Sequence, residues 1–518
     1  MAPNDDNLSC TFGPGLEDLT ITLRSITLNG AAQFTGAELS EASTGLLVGE
    51  VIAVNEICTA TRRLTRDIRN AGYVFSRAYL PEQDITEGNL TFHFQAVRIG
   101  DVRIEGGDPG GVLAAIGEAS LALDPYDATV ITEPASLALG DRLPRVNGER
   151  QNPISTTALA DEATLEDTTT FVLSRLPVDT SPRYRFSVNN RGSEANGPWA
   201  LDASATFYEV FAAYDIMGVR VLQSAETGEL TYASIAYDYL LYPDGTALRL
   251  RLAASRSEPG TPTLRSIDEE NQSQSFSLTW YRPVLRTQTT SLAFSTTFDW
   301  RNSSSKQLGS PATEDRLRVL RFGIEYERRF ENSGFLQVFG TLSQGIDGLG
   351  ATPASNLLAT RSDGEPDFTS MEAFLRYGRA FESGVRVTAQ LLGQISTAPL
   401  LSAEECGLGG RNFGRAFNSS EITGDQCIAA SVEVGYRLQD NLPNAIQSLE
   451  PYTFLDGGRV FNFGSQADAE LASFGLGLRA NFNDALSGSI EIARPLGRDS
   501  EFSGNREPRV YIGLSAAF

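Results

Sequence analysis

The residue types that most often do chemistry are scarce in this chain. It contains one histidine, His93, so neither a Ser-His-Asp relay nor a multi-histidine metal centre can be assembled from it. His93 falls in a strand-like stretch and reads as an ordinary strand residue. The glycine-rich runs 106–111 and 407–410 lack the Gly-Lys-Ser/Thr that lets a loop cradle phosphates, and read as turns. Neighbouring carboxylates such as Glu404 and Glu405 have no partner constellation. Nothing points to an enzyme, a metal or a cofactor. The four cysteines fall as Cys10 with Cys58 and Cys406 with Cys427. That spacing fits two local disulfides in an oxidising compartment, or four free thiols. A net charge of −23 excludes a nucleic-acid partner, whose phosphates demand a basic face. Lys306 is the only lysine, and genome composition explains that preference for arginine.

The elements that must carry these residues divide the 518-residue chain into at least two units. No apolar run reaches 18 residues, which excludes a transmembrane helix; if the chain crosses a bilayer, it does so with strands. Residues 1–18 are uninformative and have neither the basic start nor the apolar core of an export signal, which is expected to have been removed. Residues 19–97 read as one small α+β domain. Ile21–Leu28 alternates as a strand, Gly36–Leu46 and Asn55–Ala71 carry helical spacing, and strands return at Tyr73–Tyr79 and Asn89–Val97. Residues 98–180 restart the pattern with a strand at Arg98–Glu105, helical spacing at Val112–Leu123 and Val130–Leu139, and a strand at Thr168–Leu176.

From residue 181 to 518 the helical period vanishes. About 16 segments of roughly ten residues alternate apolar with polar, separated by turns or longer polar loops. In Ile428–Leu438 the even positions are apolar, while Ser431, Glu433 and Arg437 face the other way. Leu248, Leu250 and Leu252 oppose Arg249 and Arg251, and Leu320, Phe322, Ile324 and Tyr326 oppose Arg321, Glu325 and Glu327. A water-soluble sandwich would show the same alternation. The even strand count and the charged second face favour a transmembrane antiparallel β-barrel with a wet lumen. The last strand sets Val510, Ile512, Leu514, Ala516 and Phe518 on one face.

Several motifs then converge. Gly72 and Tyr73, followed by Arg77, Leu80, Pro81, Gln83, Ile85 and Gly88, form a GY…R…LPxQxIxxG pattern. Val188-Asn189-Asn190-Arg191-Gly192-Ser193, with Gly197, is similar to a VDNxG…G barrel opening, with Asn189 in place of Asp. Gly414-Arg415-Ala416-Phe417, then Gly424-Asp425, lies in a loop long enough to expect a function. Phe454-Leu455-Asp456-Gly457-Gly458 is an FxDxG strand motif. Together these resemble the TpsB transporters of two-partner secretion, the ShlB/FhaC/HecB hemolysin secretion/activation family, relatives of the BamA insertase.

The resemblance implies polypeptide-transport-associated (POTRA) domains in the periplasm that receive an unfolded client by strand addition. It implies that loop 398–426 folds back into the pore and that the strand aspartate clasps its tip arginine. Phe454, Asp456 and Gly458 share one parity. If that face is the lumen, Asp456 needs a partner, and the fork of Arg415 suits a carboxylate bidentately while Phe454 packs beside it. Ala416 stands where the family has glycine, which puts a left-handed backbone there in doubt. Cys406 and Cys427 bracket the loop, and a disulfide would close its base. The terminal Phe518 resembles the signal read by the outer-membrane barrel assembly machinery.

The expectation is therefore a Gram-negative outer-membrane transporter in contact with lipid, exporting an adhesin, hemolysin or other exoprotein without nucleotide hydrolysis. An insertase of the same superfamily is one alternative, although residues 19–180 have room for only about two domains of roughly 80 residues. A passive diffusion pore is another, and would leave the Arg415 and Asp456 motifs without purpose.

Overall fold

The computed structural model describes residues 19–105, 154–159 and 168–518 apart from scattered loop positions, with residues 111, 113–115 and 142. The chain forms two compact units, one of residues 1–140 with 151–178 and one of residues 141–150 with 179–518.

In the first unit the helix Val54–Asn70 buries Ile57, Leu64 and Ile68 at helical spacing. These side chains pack on Leu90, Phe92 and Leu23. Ser25–Asn29 pairs in parallel with Asn89–Gln95, and Arg77–Tyr79 joins the other side of that strand antiparallel. The same scheme recurs in the next segment, where Arg98–Glu105 runs parallel to Thr168–Arg175 and Ile154–Leu159 antiparallel to it. The strand Ile154–Leu159 was not expected. The helical spacing at Val112–Leu123 and Val130–Leu139 lies outside the described residues except 113–115.

Two expectations for the first module need correction. The spacing at Gly36–Leu46 yields only the 3-10 turn Glu41–Thr44. Ser43 Oγ accepts the N–H of Ser40 and Gly45 closes the turn at φ +72°, so local hydrogen bonds end the helix before it starts. The expected strand Ile21–Leu28 is two strands, Thr20–Thr22 and Ser25–Asn29. They part because the N–H groups of Leu23 and Arg24 turn to Glu50 and Gly88 carbonyls.

The second unit is a closed barrel of 16 antiparallel strands, running from Arg183–Asn189 to Arg509–Ala517. The terminal strands close it over Asn189–Gly513 to Arg185–Ala517, and Tyr184 and Phe518 exchange backbone hydrogen bonds beyond. Past Asn189 the Asn190 N–H still donates to the Ile512 carbonyl at 3.2 Å, and the Asn190 side chain extends the pairing. Its amide donates to the Val510 carbonyl at 2.9 Å and its oxygen accepts the Ile512 N–H at 2.6 Å. One face of each strand presents an apolar band to the outside, as with Ile428, Val432, Leu455, Leu476 and Ile512. The alternate positions point into the lumen, where Ser431, Phe454, Asp456 and Glu491 are buried. Connections at the end holding both termini of the barrel are short, such as 381–384 and 482–485. The opposite end carries the long connections 346–368 and 397–425.

Gly88 sits at φ +79°, and a Cβ there would lie 2.0 Å from the Thr22 carbonyl oxygen. Gly88→Ala is therefore expected to destabilise the N-terminal module by about 1–3 kcal/mol. Limited proteolysis of the full chain should cut that module faster, while the barrel keeps its heat-modifiable gel mobility.

Candidate functional site in the barrel lumen

The long connection between Val385–Ser396 and Gln426–Tyr436 folds into the barrel. Its base is a small hairpin, Cys406–Leu408 paired with Ile422–Gly424. A disulfide joins Cys406 to Cys427, the second residue of the following barrel strand. Cys10 lies outside the described residues, so the pairing expected for Cys10 and Cys58 is not described. The hairpin carries a core of its own against the wall, in which Leu408, Phe413, Ala416 and Phe417 pack with Tyr452, Phe454 and Leu471.

The tip turns sharply at glycines. Gly409, Gly410 and Gly414 all have positive φ, and a Cβ on Gly409 would meet the Asn418 carbonyl at 2.1 Å. Ala416 is fully buried and is not among the residues with positive φ, so the glycine expected at that position is not required here.

Asp456 organises the tip. Its Oδ1 accepts the backbone N–H of Gly414 at 2.8 Å and of Arg415 at 3.2 Å, together with the hydroxyl of Ser473. Its Oδ2 lies 3.1 Å from Arg415 Nε. The expected two-pronged clasp of one carboxylate is thus replaced by a bridge. Arg415 Nη1 donates to Glu433 at 2.7 Å and lies 3.5 Å from Glu491, so three strands each supply one acid. The guanidinium sits 4.1 Å from the centre of the Phe454 ring, a cation–π contact strengthened by exclusion of water. Glu491 also accepts from Tyr452 Oη and from Arg191, and Arg479 holds Glu433 and Glu450. Gly458 allows close strand contact, since a Cβ there would be 2.6 Å from that of Ala429.

Asp425 has a different task. It is fully buried at the loop base, where it accepts from Arg361 Nη1 at 2.6 Å, Leu400 N–H at 2.6 Å and Phe463 N–H at 2.8 Å. Arg361 further contacts Asp363, Glu405 and the Phe463 carbonyl. Three connections at that end of the barrel are thereby knotted together. Gly424 packs on Val460 beneath this knot.

The first-module motif is structural in its contacts. Gly72, at φ +104°, follows the helix, and Tyr73 returns its N–H to the Ile68 carbonyl and stacks edge-on against Phe34. Arg77 donates to Gln95. Gln83, two residues past Pro81, copies a backbone pairing with its side-chain amide, giving to the Thr91 carbonyl and taking the Thr91 N–H.

The alternation places Glu433 on the polar face without a role, and Ser473 and Glu491 carry no motif that marks them. Both belong to alternating strands, so parity puts them in the lumen but does not name their partner. Arg361 had no signal, being one charge in a long polar loop.

A closed 16-stranded barrel with an apolar outer band, whose own loop is ionically fastened inside, defines the class of outer-membrane β-barrels with a lumenal loop. The profile of the family "Haemolysin secretion/activation protein ShlB/FhaC/HecB" matches residues 169–480, and that of the ShlB-type POTRA domain matches residues 21–93. The chain belongs to the ShlB/FhaC/HecB family, outer-membrane transporters that export a partner polypeptide and hold their POTRA domains in the periplasm. It is 21% identical over 492 residues to the heme/hemopexin transporter protein HuxB of Haemophilus influenzae, covering 91% of this chain and 82% of HuxB. The outer membrane transporter CdiB of Escherichia coli is 31% identical over 108 residues, 21% of this chain and 17% of CdiB. Among solved structures, CdiB from E. coli superposes with TM-score 0.68 at 19% identity, covering 99% of this chain and 93% of that one. BamA from Haemophilus ducreyi lacking POTRA domains 1–3 gives 0.59 at 12% identity over 96% and 100%.

Because Asp456 binds backbone donors as well as Arg415, its two functions can be separated. Asp456→Asn keeps an acceptor for the Gly414 and Arg415 N–H groups, whereas Asp456→Ala leaves them unsatisfied. The alanine variant should cost about 1–3 kcal/mol more than the asparagine variant. Protease accessibility of the 409–418 tip, compared across the two purified variants, checks this order.

Proposed function

We propose that residues 19–97 and 98–180 act as two POTRA-like domains that receive the unfolded client, and that the Arg415 loop gates its passage. The outer strands of the first module's sheet, Ser25–Asn29 and Arg77–Tyr79, each paired on one side only among the described residues, are where an extended client adds as a further strand. The client is an adhesin, hemolysin or other exoprotein. It enters the lumen, displaces the tip formed by Gly414, Arg415 and Phe417 from Phe454, Asp456 and Gly458, and folds outside the cell. Folding at the surface drives export, with no nucleotide hydrolysis and no enzymatic step in this chain. Gly424 and Asp425 keep the loop base in place while the tip moves. The barrel assembly machinery reads the strand ending at Phe518, and the apolar band contacts outer-membrane lipid.

The observation that carries this reading is the arrangement around Arg415. A buried cation bridged to acids on three strands is a specific fastening whose rupture leaves uncompensated charges, about 3–5 kcal/mol for a buried pair. A passive pore has no use for such a device. The test is export of the product of the neighbouring gene in cells carrying the intact chain, Arg415→Ala, or a deletion of residues 19–97. Both variants should lose most export while their barrels assemble with normal heat-modifiable mobility. Unchanged export in both would remove this reading in favour of an insertase or a pore.

A further inference from the structure

The lumen holds a cavity of about 970 Å³ between the Arg415 tip and the end of the barrel where both of its termini lie. The residues at the short connections, such as Ser333, Ala380, Ser448 and Asn481, form its rim. Its lining contradicts the composition of the chain. The whole protein carries a net charge of −23, yet nine arginines line this cavity against three glutamates and no aspartate.

The three glutamates are already engaged. Glu433 holds Arg415 and Arg479, Glu491 holds Arg191, and Glu450 holds Arg479 and Arg386. Arg185, Arg376, Arg411 and Arg437 remain, and among the described residues none of the four pairs with a carboxylate. Strand parity turns Arg185 and Arg376 into the lumen. Phe186 and Met371, on the alternate face, are exposed on the apolar outside, while Arg376 shares the face of Phe374, which packs on loop residue Phe413. Arg437 continues the lumenal face of Ser431 and Glu433, and its Nε is buried with no acceptor. Arg411 belongs to the loop tip itself. Arg379, the ninth, has the outward parity of its strand, with its guanidinium over Phe381 and its Nε, like that of Arg437, buried with no acceptor. Glu325 and Glu327, lumen-facing acids of another strand, are not part of the lining.

Uncompensated guanidinium groups in a confined space bind anions, because low dielectric walls focus their field. In a conduit for extended polypeptide, the anion of matching size and spacing is an acidic stretch of chain. We infer that this cavity is an electropositive vestibule that selects Asp/Glu-rich segments of the client before they reach Arg415. This rests on the export reading for its occupant, and the charge pattern supplies the substrate class. An arriving carboxylate also competes with Glu433, Asp456 and Glu491 for Arg415, which links capture to release of the tip.

The test uses the full chain in detergent with fluorescein-labelled decapeptides of glutamate, glutamine or lysine, followed by anisotropy at low and high salt. The glutamate peptide should bind about tenfold or more tighter than the glutamine peptide, with the difference shrinking as salt rises. The double variant R376Q/R437Q should lose about tenfold of that affinity, while R328Q should not, because Arg328 is outside the lining, on the outward face of its strand with exposed Phe322 and Ile324, its guanidinium over Phe330. Heat-modifiable mobility confirms that both barrels are assembled. Tighter binding of the lysine peptide, which the net charge alone would produce, overturns the proposal, as does equal loss in R328Q. Competition by millimolar phosphate as strong as that by unlabelled glutamate peptide would also overturn it, reducing the vestibule to a simple ion site. Glutamate binding that survives when the neighbour's export proves independent of this chain would sink the export reading and leave the vestibule's preference standing.

Discussion

Everything in the lumen depends on how a carboxylate taken out of water is compensated. Asp456 is 3% exposed in the barrel wall, where an isolated charge would be strongly disfavoured. Its two oxygens meet two backbone N–H groups, a hydroxyl and a guanidinium. Such a density of donors can be brought together only if the loop tip adopts one backbone path, with glycine at 409, 410 and 414. The acid therefore selects a conformation as much as it binds a charge, and the hydrophobic contacts of Phe413 and Phe417 follow from that choice.

How much of this could be read from the residues differs from place to place. The barrel was legible because alternation has a period of two, and a one-residue slip in any strand would turn that strand's whole apolar set to the lumen. The same parity put Asp456 and Phe454 on one face, and the motif resemblance added Arg415. The bridge to Glu433 and Glu491 was not legible, since alternation gives the parity of positions 433, 456 and 491 but not the strand-to-strand register that brings them together. In the first module, helical spacing at Gly36–Leu46 misled because serine side chains competed for the backbone, a local effect that periodicity does not weigh. Ile154–Leu159 went unseen because its sequence, ISTTAL, has a weak alternation.

Two ionic centres, at different depths, divide the labour of holding the loop. The Arg361–Asp425 knot fastens three connections at one end of the barrel, using a fully buried carboxylate and two backbone N–H groups. The Arg415 bridge fastens the tip deeper in the lumen. They share no residue, so one can break while the other persists. The basic vestibule lies beside only the second of them, which places the charge-sensitive contact at the tip and leaves the base indifferent to what enters.

The Cys406–Cys427 bond gives the loop a leash. Twenty residues lie between its two anchors, so even a fully extended tip reaches at most about 35 Å from the wall. A rearrangement that empties the lumen is consequently a swing of a tethered arm, never the expulsion of a whole segment, and the arm must return to the strand it left. Its reach is set covalently once the chain meets an oxidising compartment. The aperture available to a passing chain is therefore bounded by tether length before any affinity at the tip is considered.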